Sequence, residues 1–588
     1  MKRRHNMPFG AECLKDGGVR FRLWAPAARQ VQVALGNVDR PDLIALERGD
    51  RGWFELTTSA AGPGTEYRFC IDNALFVPDP GSRFQPHDVH GPSQVVDPSA
   101  FEWRDGSWRG RPWEEAVIYE LHVGTFTPHG NFSGVTGQLD YLVHLGVTAI
   151  ELMPVADFPG RRNWGYDGVL PFAPDSTYGE PADLKDLVQS AHERGLMILL
   201  DVVYNHLGPE GNYLGSYAPQ FFTDRHKTPW GNGINFDGPE GRPVRDYFVN
   251  NALYWLNEYH FDGLRFDAVH AIADDSTPHI LTEIADTIHG SMAPERHVHL
   301  ILENDRNQAR YLQREKKDTG GIAVKSRGQC RPRTYTAQWN DDIHHALHVL
   351  LTQEKDGYYS DYSDRPIIQL GRCLAEGFAY QGEASRHRNG ESRGEDTKSL
   401  PPTAFVSFLQ NHDQVGNRAF GERITQLADP LAVRAAMAIL LLAPSPPMLF
   451  MGEEFAAKTP FLFFCDFGKD LAAAVTNGRR NEFAQFAAFA QPGARERIPD
   501  PNLDATFTAS RLNWDSITQQ SHRGWLGFYR ELLELRREKI VPLLFGACDV
   551  KANYQAHADH GLTTRWELAG GTKLTLQANL GAELVSGF

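Results

Sequence analysis

Cysteine is scarce: six residues in 588, at positions 13, 70, 330, 373, 465 and 548. No CxxC spacing and no short Cys–His cluster occurs, so neither a disulfide scaffold nor a structural zinc site is expected. Long apolar runs are missing as well. The longest, AAMAILLLA from Ala435 to Ala443, is too short to span a bilayer, and the basic start MKRRHN leads into no apolar signal core. Positive charge is in deficit, with 59 Lys and Arg against 74 Asp and Glu and a formal net charge of −15. That balance argues against nucleic acid or an anionic membrane as the main partner. No tandem repeat is visible. What is there, 41% apolar and 23% charged residues, suits a globular protein with room for several domains, expected to be cytoplasmic.

The pattern changes twice along the chain. VRFRLWAP (19–26), RQVQVALG (29–36), WFELTT (53–58) and YRFCI (67–71) alternate apolar and polar residues between Gly and Pro turns. They predict a β-sandwich over residues 1–100, with an irregular connector to 115. From 116 to 524 short apolar runs recur, several followed by helical stretches such as 181–195 and 244–260. The runs are AVIYELHV (116–123), VTAIELMPV (147–155), LMILLDVVY (196–204), GLRFDAV (263–269), HVHLILEN (297–304), TYTAQWND (334–341), AFVSFLQNH (404–412) and PMLFMGEE (447–454). Eight such runs predict a parallel (β/α)8 barrel, with loops enlarged at 206–243 and 355–400. Residues 525–588 predict a helix over 526–539, with Trp525, Phe528, Leu532 and Leu535 on its apolar face, then a strand pair at 562–570 and 573–581.

Polar residues finish the barrel runs, at the end where such a barrel places its active site. Asp201 closes the third run, with Asn205 and His206 after it; Arg265 and Asp267 share one face of the fourth, and His270 follows. Glu303 ends the fifth run and His412–Asp413 the seventh. Crowded carboxylates cost stability unless they are paired or neutralised, so a purely structural role explains them poorly. Glycosidic cleavage needs such a set, one carboxylic acid for the leaving oxygen and one carboxylate for the anomeric carbon.

DVVYNH (201–206), GLRFDAVH (263–270), Glu303 in ILENDRN and FLQNHDQ (408–414) resemble, in order, the four motif regions of the α-amylase superfamily of glycoside hydrolases. The resemblance covers about 11–588. It implies a multidomain α/β protein: an immunoglobulin-like N-terminal β-sandwich, a TIM barrel and a small C-terminal antiparallel β domain. By motif position it implies that Asp267 is the nucleophile, Glu303 the general acid/base and Asp413 the third carboxylate. It implies sugar-binding roles for Tyr166, His206, Arg265, His270 and His412. Asp201 is read as either a supporting or a purely structural residue. His122, at the end of the first run, suits core packing or the sugar site equally. Glu151 is expected to face elsewhere.

ELHVGTFTPHGNFSG (120–134), RRNWGYDGV (161–169), FLQNHDQVGNRAFGER (408–423), MLFMGEEF (448–455) and SRLNW (510–514) resemble the trehalose-releasing branch of that superfamily. This implies hydrolysis of the α-1,4 bond next to the terminal trehalose of a maltooligosyltrehalose, by a retaining double displacement, with no cofactor and no metal. Maltooligosyltrehalose and α-glucan oligosaccharides are the expected partners. The sequence does not give the oligomeric state, and a monomer is one possibility. His129 and the pair Asn304–Asp305 depart from the branch's pattern without removing a catalytic carboxylate. Candidates for the trehalose side are Trp339, Asn340, Asp341, Asp342 and His344 after the sixth run, and Tyr213, Tyr217 and Trp230 in the loop after the third. The alternatives are an α-1,4-glucan branching enzyme, separated by the stretch before Trp164, and a non-catalytic glucan-binding relative.

Overall fold

Alternation of buried and exposed residues builds the first layer pair. Val19, Phe21 and Leu23 of Val19–Trp24 point into one core with Val31, Val33 and Leu35 of Val31–Leu35 and with Phe69 of Glu66–Ile71. Two antiparallel sheets carry them: Gly10–Cys13, Val19–Trp24, Trp53–Thr58 and Glu47–Arg48 in one, and Asp42–Ala45, Val31–Leu35, Glu66–Ile71, Leu75–Val77 and Ser93–Gln94 in the other. The computed structural model describes residues 5–36, 40–228, 231–315, 331–486, 489 and 491–585. The connector after the sandwich is pinned. Buried Arg83 donates to Glu12 at 2.9 Å and to Glu258 at 3.2 Å, tying the sandwich to the barrel helix Gly241–Glu258.

All eight apolar runs form strands of one parallel sheet: Ile118–Leu121, Ala149–Leu152, Met197–Val202, Gly263–Phe266, His299–Leu302, Ala337–Trp339, Phe405–Val406 and Met448–Phe450. The first pairs with the eighth, and the seventh meets the eighth through a single bridge, Ser407 to Pro447, giving a near-closed barrel. Inside, Ile118, Ala149, Met197, Leu199, Ile301, Ala337, Val406, Phe408 and Met448 form a dry plug. Two residues further along several strands the inward positions turn polar, at Glu120, Glu151, Asp201, Arg265 and Glu303. The period of two along a strand makes this change abrupt.

The C-terminal region differs from its expectation in two respects. The helix runs Gln520–Leu535 and buries His522, Trp525, Leu526, Tyr529 and Leu533, while Leu535 is exposed. Its buried stripe is thus shifted from Phe528, Leu532 and Leu535, because the helix packs on the turn Glu453–Phe455 and on Pro430–Leu442, and Tyr529 reaches Glu453. The terminal sheet has three antiparallel strands, Lys551–His557, Gly561–Glu567 and Lys573–Asn579. The first escaped notice because KANYQAH carries few β-branched residues.

Candidate active site

The end of the fourth strand sets the centre. Arg265 is fully buried, and its Nη1 donates to both Asp201 and Asp267 at 2.7 Å. Its guanidinium lies 4.0 Å from the Trp339 ring centroid. Asp267 also accepts from Asn205 Nδ2 at 2.8 Å. Burial alone would raise the Asp267 carboxyl, but Arg265, Asn205 and His206 outweigh it and hold it below the usual carboxylate range.

The next residue, Ala268, takes a left-handed backbone (φ 39°), a strained state for a side chain with a Cβ, costing about 1 kcal/mol. That turn aims its N–H at Glu303 Oε2, 2.6 Å away, while Val269 N donates to the Glu303 carbonyl at 3.0 Å. Glu303 follows the adjacent strand. Burial drives its carboxyl well above the usual range; Arg265 opposes, and Asp267, Asp341 and Asp413 add to the rise. Two neighbouring carboxyls are therefore pushed in opposite directions, one toward the anion and one toward the acid.

The seventh strand supplies the opposite wall. Asn411 caps the turn His412–Gly416. His412 is held by Glu120 of the first strand, which accepts from its Nδ1 at 2.5 Å and from its backbone N–H at 2.9 Å. Its Nε2 lies 2.7 Å from the Tyr166 hydroxyl, which itself donates to Asp201 at 2.7 Å, so both ring nitrogens of His412 donate. Despite burial, Asp413 and Glu120 bring the imidazolium up to about 9. The Asp413 carboxylate is 40% exposed at the mouth, accepting from Asn417 Nδ2 at 3.2 Å.

RNWGYDG is a folded turn that aims Tyr166. Asn163 donates to Asp167 at 2.8 Å and accepts from Gly165 N at 2.7 Å. Gly165 has φ 105°, and a Cβ there would lie 2.2 Å from the Pro154 carbonyl oxygen, so only glycine fits. Trp164 anchors the turn by donating to Leu462 O at 2.8 Å. His206 donates to the Tyr166 carbonyl at 2.9 Å and meets Asn205 Oδ1. His270 accepts at Nδ1 from Asp305 N, two residues beyond Glu303, at 3.4 Å.

Two layers result. Asp267, Glu303, Asp413, Tyr166, His270 and Asp341 are half-buried at the mouth, whereas Asp201, Arg265, His412, Trp339, Glu120 and Glu151 are buried beneath them. Several sequence candidates are corrected by this layering. His122 is buried with Nε2 bonded to Asn163 O at 2.9 Å and Nδ1 to Thr125 at 3.0 Å; it props the Tyr166 turn and presents no atom to a sugar. Trp339 is 1% exposed, packed under Arg265, so neither face is open. Asp342 is buried and saturated by Asn307, Ala379 N, Tyr380 N, Tyr362 and Arg393, bracing the 355–400 insertion instead of meeting substrate. Its neighbour Asp341 faces the mouth, its carboxyl raised to about 7 by burial, Asp305 and Asp413. His344 and Tyr217 are buried and Tyr213 bonds His90, while Trp230 lies outside the described residues. Glu151 points into the barrel, not away from it. Glu120 was missed because it looks like one polar residue inside an apolar run.

Next to Asn417, which bonds Asp413, opens a cavity of about 390 Å³ lined by Glu354, Tyr358, Asn417, Arg418, Phe420 and Phe486 among others. Arg418, from the NRAFGER stretch, pairs with Glu354 at 2.8 Å. The polar stretch after 382 folds back as well, Arg388 and Arg393 gripping Asp305 two residues beyond Glu303. Among the described residues, His226, Asp237 and Asp275 bring possible metal ligands within 4.8 Å of one another. Arg225 already bonds Asp237 at 3.2 Å, and this group takes no part in the geometry above.

Residues 94–230 match the alpha amylase catalytic domain model, and residues 8–88 match carbohydrate-binding module 48, the isoamylase N-terminal domain. The chain is 42% identical over 536 residues to malto-oligosyltrehalose trehalohydrolase of Saccharolobus solfataricus, spanning 90% of this chain and 87% of that one. It is 43% identical over 538 residues to the protein of the same name from Deinococcus radiodurans, spanning 90% and 83%. A crystal structure described as an alpha amylase from Salmonella typhimurium superposes with a TM-score of 0.91 at 46% identity, over 98% of this chain and 94% of that one.

Proposed function

The chain belongs to the malto-oligosyltrehalose trehalohydrolase family of the α-amylase superfamily, and from that premise we propose that Asp267, Glu303 and Asp413 carry its reaction. The reaction is hydrolysis of the α-1,4-glucosidic bond next to the terminal trehalose of maltooligosyltrehalose, releasing trehalose and a malto-oligosaccharide. Asp267 attacks the anomeric carbon while Glu303 gives its proton to the oxygen leaving with trehalose. Glu303, now ionised, takes a proton from the water that opens the glycosyl ester on Asp267, and the configuration is retained. Asp413 takes sugar hydroxyls, Tyr166 faces the ring and His270 lines the mouth, while His412 and His206, their ring nitrogens already bonded, hold Tyr166 in place. Asp201 and Arg265 act beneath, fixing Asp267 and Tyr166. The observation that carries this assignment is the placing of the two carboxyls at the ends of adjacent strands, Asp267 held by Arg265 and Asn205 and Glu303 by the Ala268 N–H.

The cavity lined by Asn417 and Arg418 is the proposed seat of the trehalose unit. Its Asn417 bonds Asp413, whose charge acts on Glu303, the group that must face the leaving oxygen. It offers aromatic faces for glucose rings together with charged donors and acceptors. A matched polar site discriminates strongly, since a wrong sugar leaves buried groups unpaired. The chain divides at 1–100, 116–524 and 525–588 into an immunoglobulin-like sandwich, a (β/α)8 barrel and a C-terminal β domain, in a cytoplasmic protein. Among the described residues no helix is long and apolar enough to cross a membrane.

Product analysis tests the function. Maltopentaosyl-trehalose should give trehalose and maltopentaose in equal amounts, with kcat/KM at least ~10²-fold above that for maltoheptaose. That ratio needs only about 3 kcal/mol of differential transition-state binding. Equal kcat/KM values would favour a general amylase, and new α-1,6 linkages formed from amylose would favour a branching enzyme.

A further inference from the structure

We propose that Glu151 is a positioning residue for this reaction: a neutral carboxylic acid wedged between the Glu120–His412 pair and the Asp201–Arg265 pair beneath the sugar site. Glu151 is 1% exposed, inward on the second barrel strand, in register with Glu120 on the first and Leu199 on the third. Leu199 belongs to the dry plug and Asp201 comes two residues later, so Glu151 sits where the apolar interior gives way to the polar one.

The charged groups facing it are Glu120 from the first strand, Asp201 from the third, Arg265 from the fourth and His412 after the seventh. Each of the other acids there has a donor. Glu120 accepts twice from His412, Asp201 from Arg265 and Tyr166, and Asp267 from Arg265 and Asn205. Glu151 alone among these acids has no hydrogen-bond donor on either oxygen among the described residues. An ionised carboxylate so placed would stand unpaired beside two like charges, so it keeps its proton. The direction agrees: burial, then Glu120 and Asp201, push its carboxyl well above the ordinary range.

A leucine would fill this space without burying a polar group, so packing alone does not account for an acid here. The neutral acid separates Glu120 from Asp201 without adding a charge, and its carboxyl dipole stands among four charged groups that a leucine would leave facing hydrocarbon. Glu120 can then keep its two bonds from His412, and Asp201 its bonds from Arg265 and Tyr166. These two pairs orient the groups that touch the sugar. The proposal rests on the assignment of Asp267 and Glu303 above, but its test does not depend on which of the two attacks.

The test compares Glu151→Gln with Glu151→Leu. Glutamine keeps the shape and neutrality, so it should hold kcat/KM within about threefold of the unmutated enzyme and leave the alkaline limb of its pH profile in place. Leucine should lower kcat by about tenfold to 100-fold with little change in KM, the scale of a catalytic group displaced by a fraction of an ångström. Infrared spectra of the folded enzyme at pH 7 should show the C=O stretch of a buried protonated carboxyl that Glu151→Gln removes. Three outcomes would overturn the proposal. One is a Glu151→Gln alkaline limb moved down by about a unit, the mark of a lost negative charge. The others are full activity of Glu151→Leu and an infrared difference spectrum, unmutated minus Glu151→Gln, with no protonated-carboxyl band.

Discussion

Tyr119 and Glu120 are neighbours on the first barrel strand and look in opposite directions, each into a buried acid cluster. Inward, Glu120 holds His412 at the active-site floor. Outward, Tyr119 and Tyr141 donate to Glu454, and Gln410 and Tyr529 to Glu453, behind the barrel wall. The inner cluster contains cations with defined partners, Arg265 and His412, and its acids separate: Asp267 falls and Glu303 rises. The outer cluster is held by neutral donors. Arg423 lies close, but it directs donors to the carbonyls of Thr459 and Met451. Both outer acids rise together through burial, Glu453 to about 8 and Glu454 to about 7. Buried acids become an acid–base pair only where an asymmetric charge drives them apart; uniform neutral donors make a structural tie.

The largest test of that contrast is catalytic. Asp267→Asn should lower kcat by about 10⁴-fold or more with the fold intact. Glu303→Gln should cost about 10²- to 10⁴-fold on trehalose-capped glucans, recovering in a burst on a glycosyl fluoride, whose departure needs little acid. In the outer cluster, Glu453→Gln and Glu454→Gln should leave kcat/KM within about threefold. Steady-state rates on both substrates check this.

Asp342→Ala should act next most strongly, through the fold. It takes one of two carboxylate partners from buried Arg393, leaving only Asp305, and unpairs Asn307 and Tyr362, a loss of about 3 kcal/mol. Rates on maltopentaosyl-trehalose and maltoheptaose should fall together; a selective loss on the first would return Asp342 to the sugar site.

The outer cluster should also set a pH dependence of stability. The folded-state values of Glu453 and Glu454 lie above those of an unfolded chain. Their contribution is therefore complete below about pH 4.5 and fades as pH rises through about 7 to 8. The double Glu→Gln variant should flatten the fall in unfolding free energy between pH 5 and 8 by a few kcal/mol, on the order of the linkage for two such groups. Urea titrations at the two pH values measure it.

The smallest effect sharpens the inner side. Asp341 contributes to the rise of Glu303, so Asp341→Asn should move the alkaline limb of kcat downward by about half a unit to one unit. An upward move would contradict the assignment.

The eight strands, and the placing of Asp267, Glu303 and Asp413 at one rim, were legible because each of these residues follows an apolar run, a local signal. Supporting residues were not. Glu120 meets His412 across 292 positions of sequence, and nothing near Glu120 announces that partner. Asp341 and Asp342 read alike as adjacent acids at a helix start, yet the helix turn sends one to the mouth and the other into the insertion. His122 fitted the core and the sugar site equally until its two ring nitrogens were found committed. The third C-terminal strand and the shifted stripe of the last helix depended on what packs against them.

The opposed roles of Asp267 and Glu303 can be tested most directly by trapping. Glu303→Gln treated with an α-maltosyl fluoride lacks the base for the second step, so a glycosyl ester should accumulate. Mass spectrometry of the digest should place one maltosyl adduct on the peptide containing Asp267, and none when Asp267 is also changed to Asn. An adduct on another carboxylate, or turnover of the fluoride by the double variant, would contradict the account.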